Sequence, residues 1–170
     1  RGITCALPNT LRFHPECWHA SAKRLPAMIA RVDGAERFAI HRTYLQGFRK
    51  ADVAPNKAML GSVKGGAVQL AEGPGPLVLA EGIETALSLA SGLVKPCGSV
   101  WAVLSSSGLS GLNLPEQPDE LVIACDGDGA GRAAAFDLAE RAAALGWRVS
   151  SIDPGDGLDF NDILRREVAA

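Results

Sequence analysis

Three acidic residues dominate the chemistry available to this 170-residue chain. Asp126 and Asp128 stand two apart in Cys125-Asp-Gly-Asp-Gly-Ala-Gly131, and Glu81 closes the run Leu77-Val-Leu-Ala-Glu81. In extended backbone, residues i and i+2 point the same way with Cα atoms about 6.5 Å apart. Two carboxylates about 4 Å apart repel by about 4 kcal/mol at an effective dielectric of 20, a large share of a domain's net stability. A divalent cation cancels that repulsion. A hard, all-oxygen donor set suits Mg2+ or Mn2+, which bind a few carboxylates and keep waters for substrate phosphates. Asp and Gly are also ordinary turn formers, but a third acid after a second apolar run favours metal-assisted chemistry.

These acids need a frame. Residues 121–125 are a short, β-favourable apolar run, and residues 132–145 are alanine-rich and stop at Gly146, which predicts a strand, a turn carrying the acids and a helix. Residues 77–80 predict a second strand, followed by a helix over 84–91 that Gly92 stops. Residues 99–104 predict a third strand with a Ser/Gly loop over 105–111 behind it, and residues 147–152 a fourth. The alternation describes an α/β fold: a mostly parallel four-stranded sheet flanked by helices, with ligands expected at the carboxyl ends of its strands. Asp159-Phe-Asn-Asp162 precedes a short helix over 163–167 that Asp159 can cap. A cap does not account for the neighbouring Asp153 and Asp156.

Gly73-Pro-Gly-Pro76 interrupts both helix and strand. It divides the chain into a small N-terminal subdomain, residues 1–72, and an α/β domain, residues 73–170. Residues 1–25 read as irregular, with one short strand near 11–13, whereas 27–32 and 37–45 form a β-hairpin around Asp33-Gly34. The net charge of −2 conceals a division: residues 37–64 hold six Lys or Arg against one acid, and residues 65–170 hold six against fifteen. Such asymmetry suits a polyanion on one part and divalent cations on the other.

Several classes are excluded. No apolar run approaches the roughly 18 residues of a membrane span, so a soluble, cytoplasmic protein without membrane partners is expected. Cys5, Cys17, Cys97 and Cys125 form no CxxC pair and read as reduced thiols rather than zinc ligands. An EF-hand loop from Asp126 would put Ala130 at a ligand position, the evenly spaced Gly127, Gly129 and Gly131 do not make G-x-G-x-x-G, and no phosphate-loop motif occurs. The sequence opens at Arg1 rather than Met, and a fragment of a longer protein is expected.

In combination, Glu81-Gly82 at a strand end, an intervening βα unit and Asp126-Gly-Asp-Gly-Ala-Gly-Arg-Ala-Ala-Ala135 resemble the Toprim domain of bacterial-type primases, topoisomerases and some nucleases and recombination proteins. The long Asp-x-Asp-x-x-Gly-Arg-Ala-Ala form is most similar to the primases. Glu81-Gly-Ile-Glu-Thr-Ala-Leu-Ser88 with Asp159-Phe-Asn-Asp162 resembles the primase and primase-helicase proteins of phages, plasmids and integrated elements. The likeness covers about residues 76–167. His41-Arg-Thr-Tyr-Leu45, Lys50-Ala51 and Leu60-Gly61 through Gly65-Gly66 resemble, more loosely, the segment before Toprim in those proteins.

The resemblance implies Mg2+ (or Mn2+) on Asp126 and Asp128, with Glu81 as a further ligand or the general acid/base, and with Asp159 and Asp162 as additional acids. It implies that Arg42, Lys50, Lys57 and Lys64 hold triphosphate or template, and that Ser105 and Ser106 donate to phosphate. The reaction implied is attack of a 3′-hydroxyl on a nucleotide α-phosphate by a DNA primase core making RNA primers. Its partners would be single-stranded DNA, nucleoside triphosphates and a replicative or fused helicase. A Toprim nuclease, a topoisomerase-like enzyme and a non-catalytic nucleic-acid-binding module remain alternatives. The topoisomerase reading has one tyrosine to draw on, Tyr44 in the hairpin, and no zinc-binding module for template choice is present.

Overall fold

The structure, a computed structural model, describes residues 2–95 and 98–169; Cys97 lies outside the described residues. Its first half is a five-stranded sheet of β1 (Leu11–Trp18), β2 (Arg24–Val32), β3 (Ala39–Gln46), β4 (Arg49–Lys50) and β5 (Lys57–Leu60). The order is β1-β2-β3-β4, with β5 paired to β3. The expected hairpin is β2 with β3, antiparallel from Ala27↔Tyr44 to Val32↔Ala39. The irregular reading of residues 1–25 is corrected by the eight-residue β1. Pro15 cannot donate to a ladder, but β1 is an edge strand whose register shifts between His14 and Cys17. A proline is tolerated at such an irregularity.

The second sheet runs β10-β9-β7-β8-β6, where β6 is Val68–Ala71, β7 Leu77–Ala80, β8 Val100–Ala102, β9 Glu120–Ala124 and β10 Arg148–Ile152. Four strands are parallel, as expected, and β6 adds an antiparallel fifth through its pairing with β8. The division expected at residues 72 and 73 therefore runs between two strands of one sheet. All of β7 is buried, because a central parallel strand is covered on both faces.

One face is covered by α3 (Gly129–Ala144), whose Ala134, Ala135, Leu138 and Ala142 pack on Leu79, Leu121 and Ile123. The other is covered by α1 (Ile83–Ser88), α4 (Phe160–Ala169) and the inner face of the first sheet, through Leu11, Ala30, Val32 and Ala39. After α1 the chain makes a wider helical turn, Leu89–Leu93, ending past Gly92 at a φ of 118°. α2 (Ser106–Ser110) stands where a Ser/Gly loop was expected. Only five residues long, it carries no helical period to read.

The end of α3 follows from local chemistry. Gly146 takes a φ of 93°, while its N–H donates to Ala143 O and that of Trp147 to Ala142 O, a Schellman closure that needs a left-handed residue. Among the described residues no helix is long and apolar enough to cross a membrane. Cys5, Cys17 and Cys125 are free thiols.

Candidate active site

Glu81 follows β7 and Asp126 follows β9 by one residue. These strands are direct parallel neighbours with Ala80 opposite Ala124, so the two acids emerge side by side at the carboxyl edge. Asp128 lies two residues on and begins α3. Its Oδ1 accepts from Gly131 N at 2.7 Å, which makes it the helix N-cap. Asp159 and Asp162 face the same turn from α4, and they cap that helix reciprocally: Asp159 Oδ1 accepts from Asp162 N at 2.8 Å, and Asp162 Oδ2 from Asp159 N at 3.4 Å. Asp126, Asp128, Asp159 and Asp162 line one open depression.

A backbone contact holds this depression in shape. Gly127 N donates to Leu158 O at 3.0 Å, and Gly157 N to Gly127 O at 2.7 Å. A side chain at residue 127 would collide with the Gly155 carbonyl oxygen. The Asp-Gly-Asp turn thus owes its middle glycine to the close approach of residues 155–158. Asp153 and Asp156, left over by the capping account, pair with Arg132 at 2.6 and 2.7 Å on the surface.

The electrostatics centre on Asp126. Its half-buried carboxyl is pushed up to about 6 by burial and then by the charges of Glu81, Asp159 and Asp128, with Lys57 opposing. Its Oδ1 is buried without a hydrogen-bond partner. An orphaned carboxylate oxygen among like charges fits a divalent cation. The cluster is not closed, however: among the described residues no three His, Cys, Asp or Glu side chains converge on one metal position. Asp128, Asp159 and Asp162 are engaged in caps, and Glu81 is engaged by Ser106, whose Oγ lies 3.1 Å from Oε1 and 3.2 Å from Oε2.

The expected basic residues separate. Lys57 is exposed on β5 and acts on Asp126 through its charge. Lys50 bridges to Glu84 at 2.7 Å. Lys64 is exposed in the turn before Gly65. Arg42 is not brought to the acids: its guanidinium donates to the Trp18 and Met59 carbonyls at 3.3 and 3.2 Å and lies 5.9 Å from the Tyr44 ring centre. Ser105 caps α2, its Oγ accepting from Gly108 N at 3.0 Å.

Two residues escaped the sequence reading. His41, 3% exposed, lines a small cavity with Lys57, Gly82 and Glu84 and has a buried Nδ1 without a partner. Burial first, then Lys57, hold its pKa down to about 4. Glu84 faces it, held below the usual carboxylate range by its hydrogen bond and charge pairing with Lys50 despite burial. The only sequence signal was their place inside the two quoted motifs.

A mostly parallel sheet that presents a Glu at the end of one strand and Asp-x-Asp after its neighbour, packed against a small antiparallel sheet, defines a class of α/β fold with an acidic carboxyl edge. Residues 76–170 match the family described as Toprim domain, and residues 1–70 match a domain of unknown function (DUF7146). The chain belongs to the Toprim domain family.

Its fold is similar to a DNA primase domain from Pseudomonas aeruginosa, with a TM-score of 0.51 at 17% identity, covering 93% of this chain and 52% of that one. It is also similar to the Aquifex aeolicus primase, zinc-binding and RNA polymerase domains, with a TM-score of 0.55 at 16% identity, covering 82% and 37%. The likeness at these identities is one of fold, and this chain spans about half or less of those chains. No curated protein matches.

Proposed function

We propose that this chain is the catalytic core of a metal-dependent nucleotidyl transferase acting on nucleic acid, and specifically a DNA primase that makes RNA primers on single-stranded DNA. The observation that carries the reading is Asp126 Oδ1, buried and unpartnered among the fields of Glu81, Asp128 and Asp159. Mg2+ or Mn2+ would be held by Glu81, Asp126 and Asp128, with Asp159 and Asp162 beside them. When bound, it supplies charge neutralisation and alignment at the transferring phosphate.

The residues of the chain do the rest. Glu81, which accepts a hydrogen bond from Ser106, either completes the metal's ligands or takes the proton of an attacking 3′-hydroxyl in this reading. Lys57, exposed on β5, and Lys64, exposed in the turn before Gly65, draw the triphosphate or template toward the edge in this reading, while Lys50 and Arg42 hold the basic sheet in place. Single-stranded DNA and nucleoside triphosphates are the partners in this reading, joined by a replicative or fused helicase, in the cytoplasm.

The test is primer synthesis by the complete protein from ribonucleotides on single-stranded DNA with Mg2+ or Mn2+. Ribonucleotide products that vanish in Asp126→Asn are expected. No product where a known primase works would overturn the reading, and DNA cleavage without added nucleotides would point to a Toprim nuclease instead.

A further inference from the structure

Ser106 was expected to donate to phosphate, but its surroundings assign it elsewhere. β8 lies beside β7, and the chain leaving it turns sharply: Leu104 takes a φ of 73°, a left-handed conformation rare for a leucine. Its N–H donates to the Glu81 carbonyl oxygen at 2.8 Å, and that of Val103 to Ala80 O at 2.9 Å. The loop after β8 is therefore fastened to the backbone that carries Glu81. Ser105 then starts α2 as its N-cap, and Gly108 is pressed so closely on the Val103 carbonyl oxygen that a side chain there would collide with it. These contacts leave Ser106, the first residue of α2, with its hydroxyl between the two oxygens of Glu81. One hydroxyl has one proton to donate, so it is shared between Oε1 and Oε2 and holds the carboxylate symmetrically about its axis.

We propose that Ser106 is a positioning residue for Glu81, fixing the carboxylate in the orientation from which it serves a divalent cation and the reacting hydroxyl. The assignment rests on the proposed metal-dependent reaction, but its test does not require turnover. Groups that orient a ligating carboxylate typically change metal affinity or activity by about 10–100-fold when removed. A threonine keeps the hydroxyl in place, whereas alanine removes it without disturbing an early helical position.

Mn2+ binding to the full protein, followed by electron paramagnetic resonance or calorimetry, is compared for wild type, Ser106→Ala and Ser106→Thr alongside thermal melts. Ser106→Ala should weaken Mn2+ binding by about 10–100-fold at unchanged melting temperature, and Ser106→Thr should restore it. In primer synthesis the alanine variant should lose kcat with little change in KM for nucleotide. Wild-type Mn2+ affinity in Ser106→Ala, no rescue by threonine, or a change confined to KM for nucleotide would each overturn the assignment, the last by making Ser106 a direct phosphate contact. A wild type that binds Mn2+ but makes no primers would sink the primase reading while the metal comparison still decides the role of Ser106. A wild type that binds no Mn2+ would overturn both.

Discussion

Lys50 Nζ lies 2.7 Å from Glu84 Oε1, tying β4 of the basic sheet to the first turn after Glu81. Both side chains are largely withdrawn from solvent, so the pair is a joint between the two sheets rather than a surface ornament. Removing one partner leaves the other charge half-buried and unpaired. Lys50→Ala is expected to cost about 1–3 kcal/mol in urea unfolding, and Lys50→Met with Glu84→Gln should recover much of that loss. A double variant no better than Lys50→Ala would show that the two charges are independent.

His41 sets an acid limit on stability. The unfolded chain takes up its proton near 6.5, the native state near 4, because burial and Lys57 disfavour the imidazolium. Between those values the unfolded state binds more protons, so stability from this group is fully present above about 6.5 and is lost as pH falls toward 4. Urea midpoints of His41→Gln should therefore fall less steeply than those of the wild type over that window. Parallel pH profiles would remove His41 from this role.

Asp126 works in the opposite sense. Its carboxylate is disfavoured by burial and by its acidic neighbours, so Asp126→Asn should raise the melting temperature of the metal-free protein at pH 7. Relief on the order of 1 kcal/mol, screened because the group is partly exposed, corresponds to about 2–4 °C for a chain of this size. Mg2+ at about 100 times its dissociation constant should add about 2.7 kcal/mol to the wild type and much less to Asp126→Asn. Equal gains would locate the cation elsewhere.

Gly127→Ala tests the packing of the acidic turn. An added methyl meets the Gly155 carbonyl oxygen, a backbone atom that cannot rotate away. A loss of about 1–3 kcal/mol is expected from overpacking, along with weaker Mn2+ binding as the turn separates from residues 155–158. Full stability in this variant would mean that the two loops part freely.

The acidic edge was legible because its signals are local: a buried strand, a glycine turn and a capped alanine-rich helix all lie within residues 120–146. That Glu81 joins it depended on β7 lying beside β9, which alternating strands and helices suggest and the ladder of Ala80 with Ala124 establishes. The features that escaped are non-local or too short. Pro15 hides β1, Val68–Ala71 sits among glycines without hinting at β8, and α2 has too few residues for a period. The engagement of Lys50 by Glu84 and of Ser106 by Glu81 spans 34 and 25 positions, beyond any pattern read along the chain. The bonds of Arg42 to the Trp18 and Met59 carbonyls escape for a related reason: the residue type announces a phosphate ligand, and nothing along the chain announces the carbonyls that its neighbours offer.

The antiparallel β6 has a consequence for how such proteins can be rearranged. Its pairing with β8 and the bridge between Asp33 and Ala67 stitch the basic sheet to the parallel one. A protein cut at residue 73 would leave β8 as a raw border open to strand addition from other chains. The parallel sheet therefore owes the cover on its β8 border to a strand that precedes residue 73. An exchange of front halves would keep that border covered only by carrying Val68–Ala71 across the junction.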